Sequence, residues 1–354
     1  MRSLCPLLLP LLFGAAAARD VLLFTLYSNH SLMRAELDGS GGVVVASSQP
    51  EVLFPDGQQV DEVNKKVYWS NMGSCCCEPP VGNKTVNPAQ NPCHYKGGSI
   101  YRADWPSGDN ITPIVLAGTA IGAAKELHLD VERQQLYCGD KNPAYDLGWT
   151  SIWRIDLAHG PPFTPIPMLQ QKQLSASGVT LDHTGEKLMV TSDGEGQPPG
   201  VGVMGREIPA GFSAANRTDL VWHYKTECCD HIDADSSGKI YWTDSGACLG
   251  KEGLGSPAVR VGSADGVTPA RTIQTRKAVV PGPGDHAVGI AVSKDEREVY
   301  YTSAGSSCFR PTTPAGPQNP NGKIFRSSVA GGAQEVVWQG DHVCIDGVAI
   351  VGLE

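Results

Sequence analysis

An Asp-His dipeptide stands at the entry to three successive short apolar runs of this chain, as Asp230-His231, Asp285-His286 and Asp341-His342. Histidine exchanges a proton near neutral pH, and a carboxylate beside it fixes which ring nitrogen carries that proton. Each pair stands close before, or at the start of, a short apolar run with the pattern of a β-strand, and Glu126 and Asp346 occupy comparable places. If those strands surround one axis, these side chains converge. The six residues of the pairs are then candidate catalytic groups, and Glu126 and Asp346 candidate ligand contacts. Residues that only cap strand ends and bond loop backbone have the same composition, and a divalent cation is a third use of such a cluster. Tyr95, Tyr145, Trp149 and Phe309 lie in long loops, where they either pack on their own loop or form the apolar wall of a pocket.

Several familiar chemistries leave no trace in the sequence. It has no G-x-S-x-G elbow, no H-E-x-x-H zinc motif and no phosphate-cradling glycine loop. The expectation is a site without a resident metal and without a cofactor. The formal net charge of −9 gives no basic footprint for nucleic acid or anionic lipid.

The first residues have the grammar of a secretory signal. Arg2 is a positive n-region, Leu4 to Phe13 an apolar run of about ten residues, and Ala16 and Ala18 an A-x-A cleavage site. That run is too short to span a bilayer, and no other stretch approaches the necessary length, so no membrane insertion is expected. The expected division is a signal peptide over 1–18 and one domain over 19–354, located in the secretory lumen or outside the cell. Sequons at Asn29, Asn83, Asn110 and Asn216 predict glycosylation. Of eleven cysteines, Cys5 falls in the signal, leaving ten, an even number for an oxidising compartment. Cys75, Cys76, Cys77, Cys93, Cys138, Cys228, Cys229, Cys248, Cys308 and Cys344 are therefore expected in disulfides, whose connectivity the spacing does not fix.

The elements that position these residues come from a repeat. Short alternating runs bounded by Gly, Asp, Asn and Pro recur throughout, which predicts an all-β chain. The clearest unit, Asp233 to Asp244, is a strand, a polar turn and a second strand. Related second strands end at Tyr68-Trp69-Ser70-Asn71, Tyr137-Cys138-Gly139-Asp140, Met189-Val190-Thr191-Ser192 and Tyr300-Tyr301-Thr302-Ser303. A third strand follows each, as in Ser151 to Asp156, and then a more variable fourth. Four short antiparallel strands make one propeller blade. Residues 21–45 supply second, third and fourth strands with no first, and Asp346 to Val351 supplies a first strand alone. Together they complete a sixth blade and close the ring, which removes unpaired edges. The expected fold is a six-bladed β-propeller of four-stranded antiparallel blades, closed by N- and C-terminal strands in one composite blade. On such a ring the cysteine-bearing loops share one face.

The repeat resembles the low-density-lipoprotein-receptor class B repeat, called YWTD. One complete motif is present, Tyr241-Trp242-Thr243-Asp244, and Arg34-Ala35-Glu36-Leu37-Asp38-Gly39 resembles the segment that follows it. The resemblance implies a propeller whose motif residues pack blades. It also implies a protein-binding module as one function, with a protein ligand on the loop face. The size and export signal further resemble secreted fungal propellers of natural-product pathways. That likeness implies a hetero-Diels–Alderase type of pericyclase joining a tropolone quinone methide to a terpene alkene, with a terpenoid or polyketide-like small-molecule substrate. Such an enzyme works by holding partners in a near-attack geometry. The pericyclase, with its pocket at the cysteine-bearing face, is the leading expectation. The protein-binding module is the alternative, and a metal-dependent lactonase-like hydrolase the third.

Overall fold

A computed structural model describes residues 19–47, 51–76, 94–141, 150–171, 174–192, 200–226, 228–245, 257–275, 287–305 and 321–353. The side chains of Ser74–Cys76, His94–Lys96 and Thr275 are not described. Among the described residues the regular structure is all β, in six four-stranded antiparallel sheets and one two-stranded ribbon. In chain order the strands are β1 (Arg19–Leu26), β2 (Ser31–Glu36) and β3 (Val43–Ala46), then β4 (Pro55–Asp61), β5 (Lys66–Asn71), β6 (Ser74–Cys76), β7 (His94–Lys96), β8 (Ser99–Asp104) and β9 (Thr112–Val115). The second blade is β10 (Ala124–Asp130), β11 (Gln135–Asp140), β12 (Thr150–Asp156) and β13 (Pro165–Gln170). The third is β14 (Ala176–Leu181), β15 (Lys187–Ser192), β16 (Gly200–Gly205) and β17 (Val221–Lys225). The fourth is β18 (Cys229–Ala234), β19 (Lys239–Asp244), β20 (Ala258–Ser263) and β21 (Arg271–Thr275). The fifth is β22 (Ala287–Val292), β23 (Glu298–Ser303), β24 (Lys323–Ser328) and β25 (Gln334–Gln339), and β26 (Ile345–Leu353) ends the chain. The first blade is β4-β5-β8-β9, and β6 and β7 form the ribbon within its long loop.

The sixth blade is composite, with order β26-β1-β2-β3. Its seam runs from Arg19 opposite Leu353 to Leu26 opposite Ile345. The molecule is a six-bladed β-propeller. Six apolar layers hold it, one between each pair of neighbouring blades. Trp69 and Trp242, both fully buried, anchor two of them; burying a large apolar side chain contributes about 2–3 kcal/mol.

The YWTD residues of β19 show what each letter does. The Tyr241 hydroxyl donates to Asp235 Oδ2 at 2.9 Å, bracing the turn that precedes the strand. Trp242 stacks on Tyr224 of the third blade, with ring centroids 5.2 Å apart. Thr243 Oγ1 accepts the His231 N–H of its own blade and donates to the Val288 carbonyl of the next. Asp244 Oδ1 accepts the Cys228 N–H and so fixes the entry to the first strand. The threonine is the tie between blades. Thr25 and Thr302 repeat it, accepting from Gly347 and Gly289 and donating to the carbonyls of Asp56 and Asp346. Thr191 makes the same donation to the Asp230 carbonyl.

The cysteine expectation needs correction where the side chains are described. Cys138 and Cys229 are buried and carry their sulfurs as thiols, and Cys228 is buried. Cys138 points from mid-strand β11 into the layer between the first and second blades. Cys229 faces the layer shared with Met189 and Trp242, and its sulfur meets Thr226 Oγ1 at 2.7 Å. Burial pushes both the Cys138 and Cys229 thiols well above their ordinary range. Cys344 is disulfide-bonded, to a cysteine whose side chain is not described. Cys77, Cys93, Cys248, Cys308 and the sequon at Asn83 lie outside the described residues, as does the 1–18 segment. Asn29, Asn110 and Asn216 are exposed.

Candidate functional site

Each of the six innermost strands carries a β-bulge or register shift at the same height, opposite the threonine position of the second strand. A bulge sets two residues against one and re-aims their side chains. Here it places six pairs about the propeller axis: Asp56-Gly57, Lys125-Glu126, Ser177-Gly178, Asp230-His231, Val288-Gly289 and Asp346-Gly347. Glycine fills the second position in four of them because the blades approach too closely for a Cβ. A Cβ on Gly57 would lie 2.5 Å from Glu126 Cα, and one on Gly289 would lie 2.5 Å from the Asp346 carbonyl oxygen. Only Glu126 and His231 carry side chains at that level.

These two side chains join a buried chain of polar contacts. Glu126 Oε2 accepts the N–H of Val179 at 3.1 Å and of Ile232 at 3.0 Å, spanning the third and fourth blades. Its other oxygen faces His231 Nδ1 at 3.5 Å. His231 Nε2 meets Asp56 Oδ1 at 3.0 Å, and Asp56 Oδ2 contacts Lys125 Nζ. Asp346 stands beside them, 3.8 Å from His231 Nε2 and 3.9 Å from Lys125 Nζ, and Asp230 lies 3.8 Å from the same ammonium. Neither carboxyl oxygen of Asp346 accepts a hydrogen bond from a described N–H or O–H donor.

The protonation of the cluster follows from burial and neighbours. Burial opposes ionisation of Asp56, but the Lys125 ammonium and His231 outweigh it and hold this carboxyl well below the usual range. Burial pushes Asp346 the other way, well above the carboxylate range, and the Asp56 charge adds to it. Of the two, Asp56 is the more readily ionised and Asp346 the more readily protonated. Burial would strip Lys125 of its proton, yet the Asp346, Asp56 and Asp230 carboxyls outweigh burial and hold it well above normal. Glu126 is raised well above its ordinary value by burial, which the Asp233 and Asp56 charges reinforce and the Ile232 and Val179 N–H bonds oppose. With Oε2 engaged by two N–H groups, the Glu126 proton belongs on the oxygen that faces His231 Nδ1. His231 then donates from Nε2 to Asp56.

Glu126 and His231 also line a cavity of about 180 Å³. It runs from the bulges toward the turns that join first to second strands. Gln58, Gln59, His128, Thr180 and Asp233 line it on one side and Ile290, Val292, Val348 and Ile350 on the other. Burial pushes His128 down to about 4, so it is neutral, and its Nδ1 meets Thr180 Oγ1 at 3.0 Å. Burial pushes Asp233 up to about 6.

Among the expected site residues, the structure brings Asp230, His231, Glu126 and Asp346 together. It does not bring Asp341 and His342, which are exposed in the connection before β26. The axial pair of that strand is Asp346-Gly347, farther along, because the bulge and not the dipeptide sets the register. Asp285, His286, Tyr145, Trp149 and Phe309 lie outside the described residues, and Tyr95 is on β7, whose side chains are not described. Asp56 and Lys125 went unread in the sequence. Aligning the first strands on the threonine position puts them in the column of Asp230 and Asp346. The pocket expected on the cysteine-bearing face is not the cavity described here, which lies toward the opposite, short-turn face.

Asp56, His231 and Asp346 offer ligand atoms within 4.8 Å of one another, the donor types of a divalent-metal site. Lys125 spoils the fit. A doubly charged ion on the same carboxyls, about 5 Å from the ammonium, would be repelled by on the order of 6–7 kcal/mol at an effective dielectric of about 20. As the chain stands, these residues do not suit a divalent ion.

No family model matches this chain. A protein of Cochliobolus heterostrophus (strain C4 / ATCC 48331 / race T), described as 3-hydroxyacyl-CoA dehydrogenase-like protein LAM1, is 24% identical over 278 residues, 73% of this chain and 51% of the other. The chain thus spans about half the length of that relative. A chain from the crystal structure of a nidogen/laminin complex superposes with a TM-score of 0.60 at 12% identity, covering 94% of this chain and 98% of that one. The Pseudomonas aeruginosa periplasmic gluconolactonase PpgL gives 0.56 at 10% identity, covering 95% and 99%. At these identities the likeness is one of fold. Among the described residues, no helix is long and apolar enough to cross a membrane.

Proposed function

We propose that this propeller is an enzyme that opens a small cyclic ester by acid–base catalysis on its axis. The observation that carries this reading is Glu126, its carboxyl pushed up by burial, 3.5 Å from His231, which is backed by Asp56, at the wall of a cavity. His231 Nδ1 takes a proton from the attacking water as the new C–O bond forms, and Asp56 stabilises the imidazolium through Nε2–H. Glu126 gives its proton to the departing ring oxygen as the old C–O bond breaks. The imidazolium then returns a proton to Glu126 across their 3.5 Å separation, which restores the starting state. Lys125 keeps Asp56 ionised throughout. PpgL is by name a gluconolactonase, an enzyme of lactone chemistry; here the support is the cluster itself.

A pericyclic reaction on a terpene needs a shaped apolar pocket, whereas the described cavity has a polar wall of ionisable groups, which favours acid–base chemistry. A protein-docking role makes no use of a buried proton relay. The export signal, the exposed sequons and the bridged Cys344 support a secreted, glycosylated protein whose domain begins at residue 19.

The test is hydrolysis of five- and six-membered lactones by the purified protein. Glu126→Gln keeps both backbone hydrogen bonds but carries no proton to donate. General acid–base groups contribute about 10²–10⁴-fold, so Glu126→Gln and His231→Ala should each lose at least ~100-fold in kcat. Wild-type turnover in the His231→Ala protein, or no turnover of any ester by the wild type, overturns the proposal.

A further inference from the structure

Nothing in the acid–base scheme requires three carboxyls around one ammonium. Asp56, Asp230 and Asp346 surround Lys125 Nζ, with Asp56 in contact and the other two at 3.8 and 3.9 Å. Asp56, Asp346 and Lys125 are buried, with the Lys125 side chain only 3% exposed, and Asp230 is partly buried. The two aspartates that also face His231 use one oxygen each toward the imidazole and the other toward the ammonium.

Without the ammonium, this is a metal site in outline. Metal–ligand bonds of about 2.0–2.2 Å to carboxylate and imidazole place tetrahedral ligands about 3.3–3.5 Å apart. His231 Nε2 lies 3.0 Å from Asp56 Oδ1 and 3.8 Å from Asp346 Oδ1, which brackets that spacing. Both Asp346 oxygens are buried and accept no hydrogen bond from a described donor, so they are open to a new cationic partner. Asp230 Oδ1 is in the same condition.

We propose that Lys125 is a tethered cation that supplies the positive charge a divalent ion would otherwise bring to Asp56 and Asp346. Removing the ammonium then turns Asp56, His231 and Asp346 into a divalent-metal site. The lysine comes from the second blade, the aspartates from the first and sixth, and the histidine from the fourth. The charge of one side chain thus serves several blades at once, and the ring needs no external ion at its centre.

The experiment is a titration of metal-stripped protein with Zn²⁺ and, separately, Ca²⁺, read by calorimetry and by the thermal midpoint. Lys125→Met removes the charge at nearly constant length. It should bind one equivalent of Zn²⁺ or Ca²⁺ at least 100-fold more tightly than the wild type, and a second change, Asp346→Ala, should abolish that binding. Lys125→Arg keeps a cation and should stay as indifferent to metal as the wild type. If Lys125→Met folds only when Zn²⁺ or Ca²⁺ is present, the proposal is equally supported. It is overturned if the wild type or Lys125→Arg binds one equivalent that Asp346→Ala removes, because the ammonium then excludes nothing. It is also overturned if folded Lys125→Met binds neither ion better than the wild type does. Each readout is independent of any catalytic activity.

Discussion

Replacing Thr243 with valine tests whether the threonine hydroxyl is the tie that closes the ring. Valine keeps the shape and removes the one atom that serves both the His231 N–H and the Val288 carbonyl. Both are main-chain groups of buried residues, and a buried polar group left without a partner costs about 1–3 kcal/mol. The loss should therefore total about 2–6 kcal/mol. An unfolding entropy of about 2.1 cal/mol/K per residue gives a chain of 354 residues about 0.7 kcal/mol/K, so the midpoint should fall by about 3–8 °C. Thr243→Ser, which keeps the hydroxyl and loses a methyl, should fall by much less. Scanning calorimetry on the three proteins measures both the midpoint and the enthalpy. A valine variant that melts within 1 °C of the wild type, or below which the serine variant melts, would refute the assignment.

Other expectations follow from the same geometry. Gly57→Ala puts a Cβ 2.5 Å from the Glu126 backbone and should cost about 1–3 kcal/mol by overpacking. Gly42→Ala, whose nearest neighbour is Met33 Cε at 3.6 Å, should be close to neutral in the same thermal assay. Asp233 titrates near 6 in the folded protein against 3.8 for the free group, so the folded state binds more protons between those values. Its contribution to stability is full below 3.8, falls as pH rises to about 6 and is constant beyond. Denaturant titrations at pH 4 and pH 7 should show Asp233→Asn removing up to about 2 kcal/mol of that pH dependence; an unchanged slope counts against it. Cys138 and Cys229, buried and with raised thiol pKa values, should resist iodoacetamide in the native protein and react once unfolded, as mass spectrometry of the peptides would show.

The ring was legible in the sequence because its units are short, alternating and punctuated by turns such as Asp235 to Gly238. The composite blade was legible because residues 21–45 lacked a first strand and β26 lacked its followers. The site was legible only in part. Asp-His pairs drew attention as dipeptides, but an axial side chain is placed by its distance from the bulge, which places Asp230-His231 on the axis and leaves Asp341-His342 on the surface. Asp56 and Lys125 have no motif of their own, and only a column of four glycines at the bulge marks their height on the axis. The cysteines misled for a related reason. A half-cystine and a thiol have the same letter, and the direction of a mid-strand side chain such as that of Cys138 decides between them.

The axial groups serve the fold and the candidate chemistry together, and this has a consequence for how the site would fail. Glu126 from the second blade is held by N–H groups of the third and fourth, and the His231 backbone is held by Thr243, whose other bond goes to the fifth. The separation of acid from base is therefore a distance between blades, set by how tightly the ring is drawn. Dilating the ring by a few tenths of an ångström barely alters the apolar layers, which lie farther out and extend over whole strands. The same dilation acts directly on the 3.5 Å gap between Glu126 and His231, across which the proposed proton return must pass. Under that chemistry, substitutions such as Gly289→Ala, far around the ring from Glu126, should lower kcat at temperatures where calorimetry still finds the protein fully folded. Activity that instead followed the folded fraction alone would mean that the two side chains do not depend on the ring for their spacing.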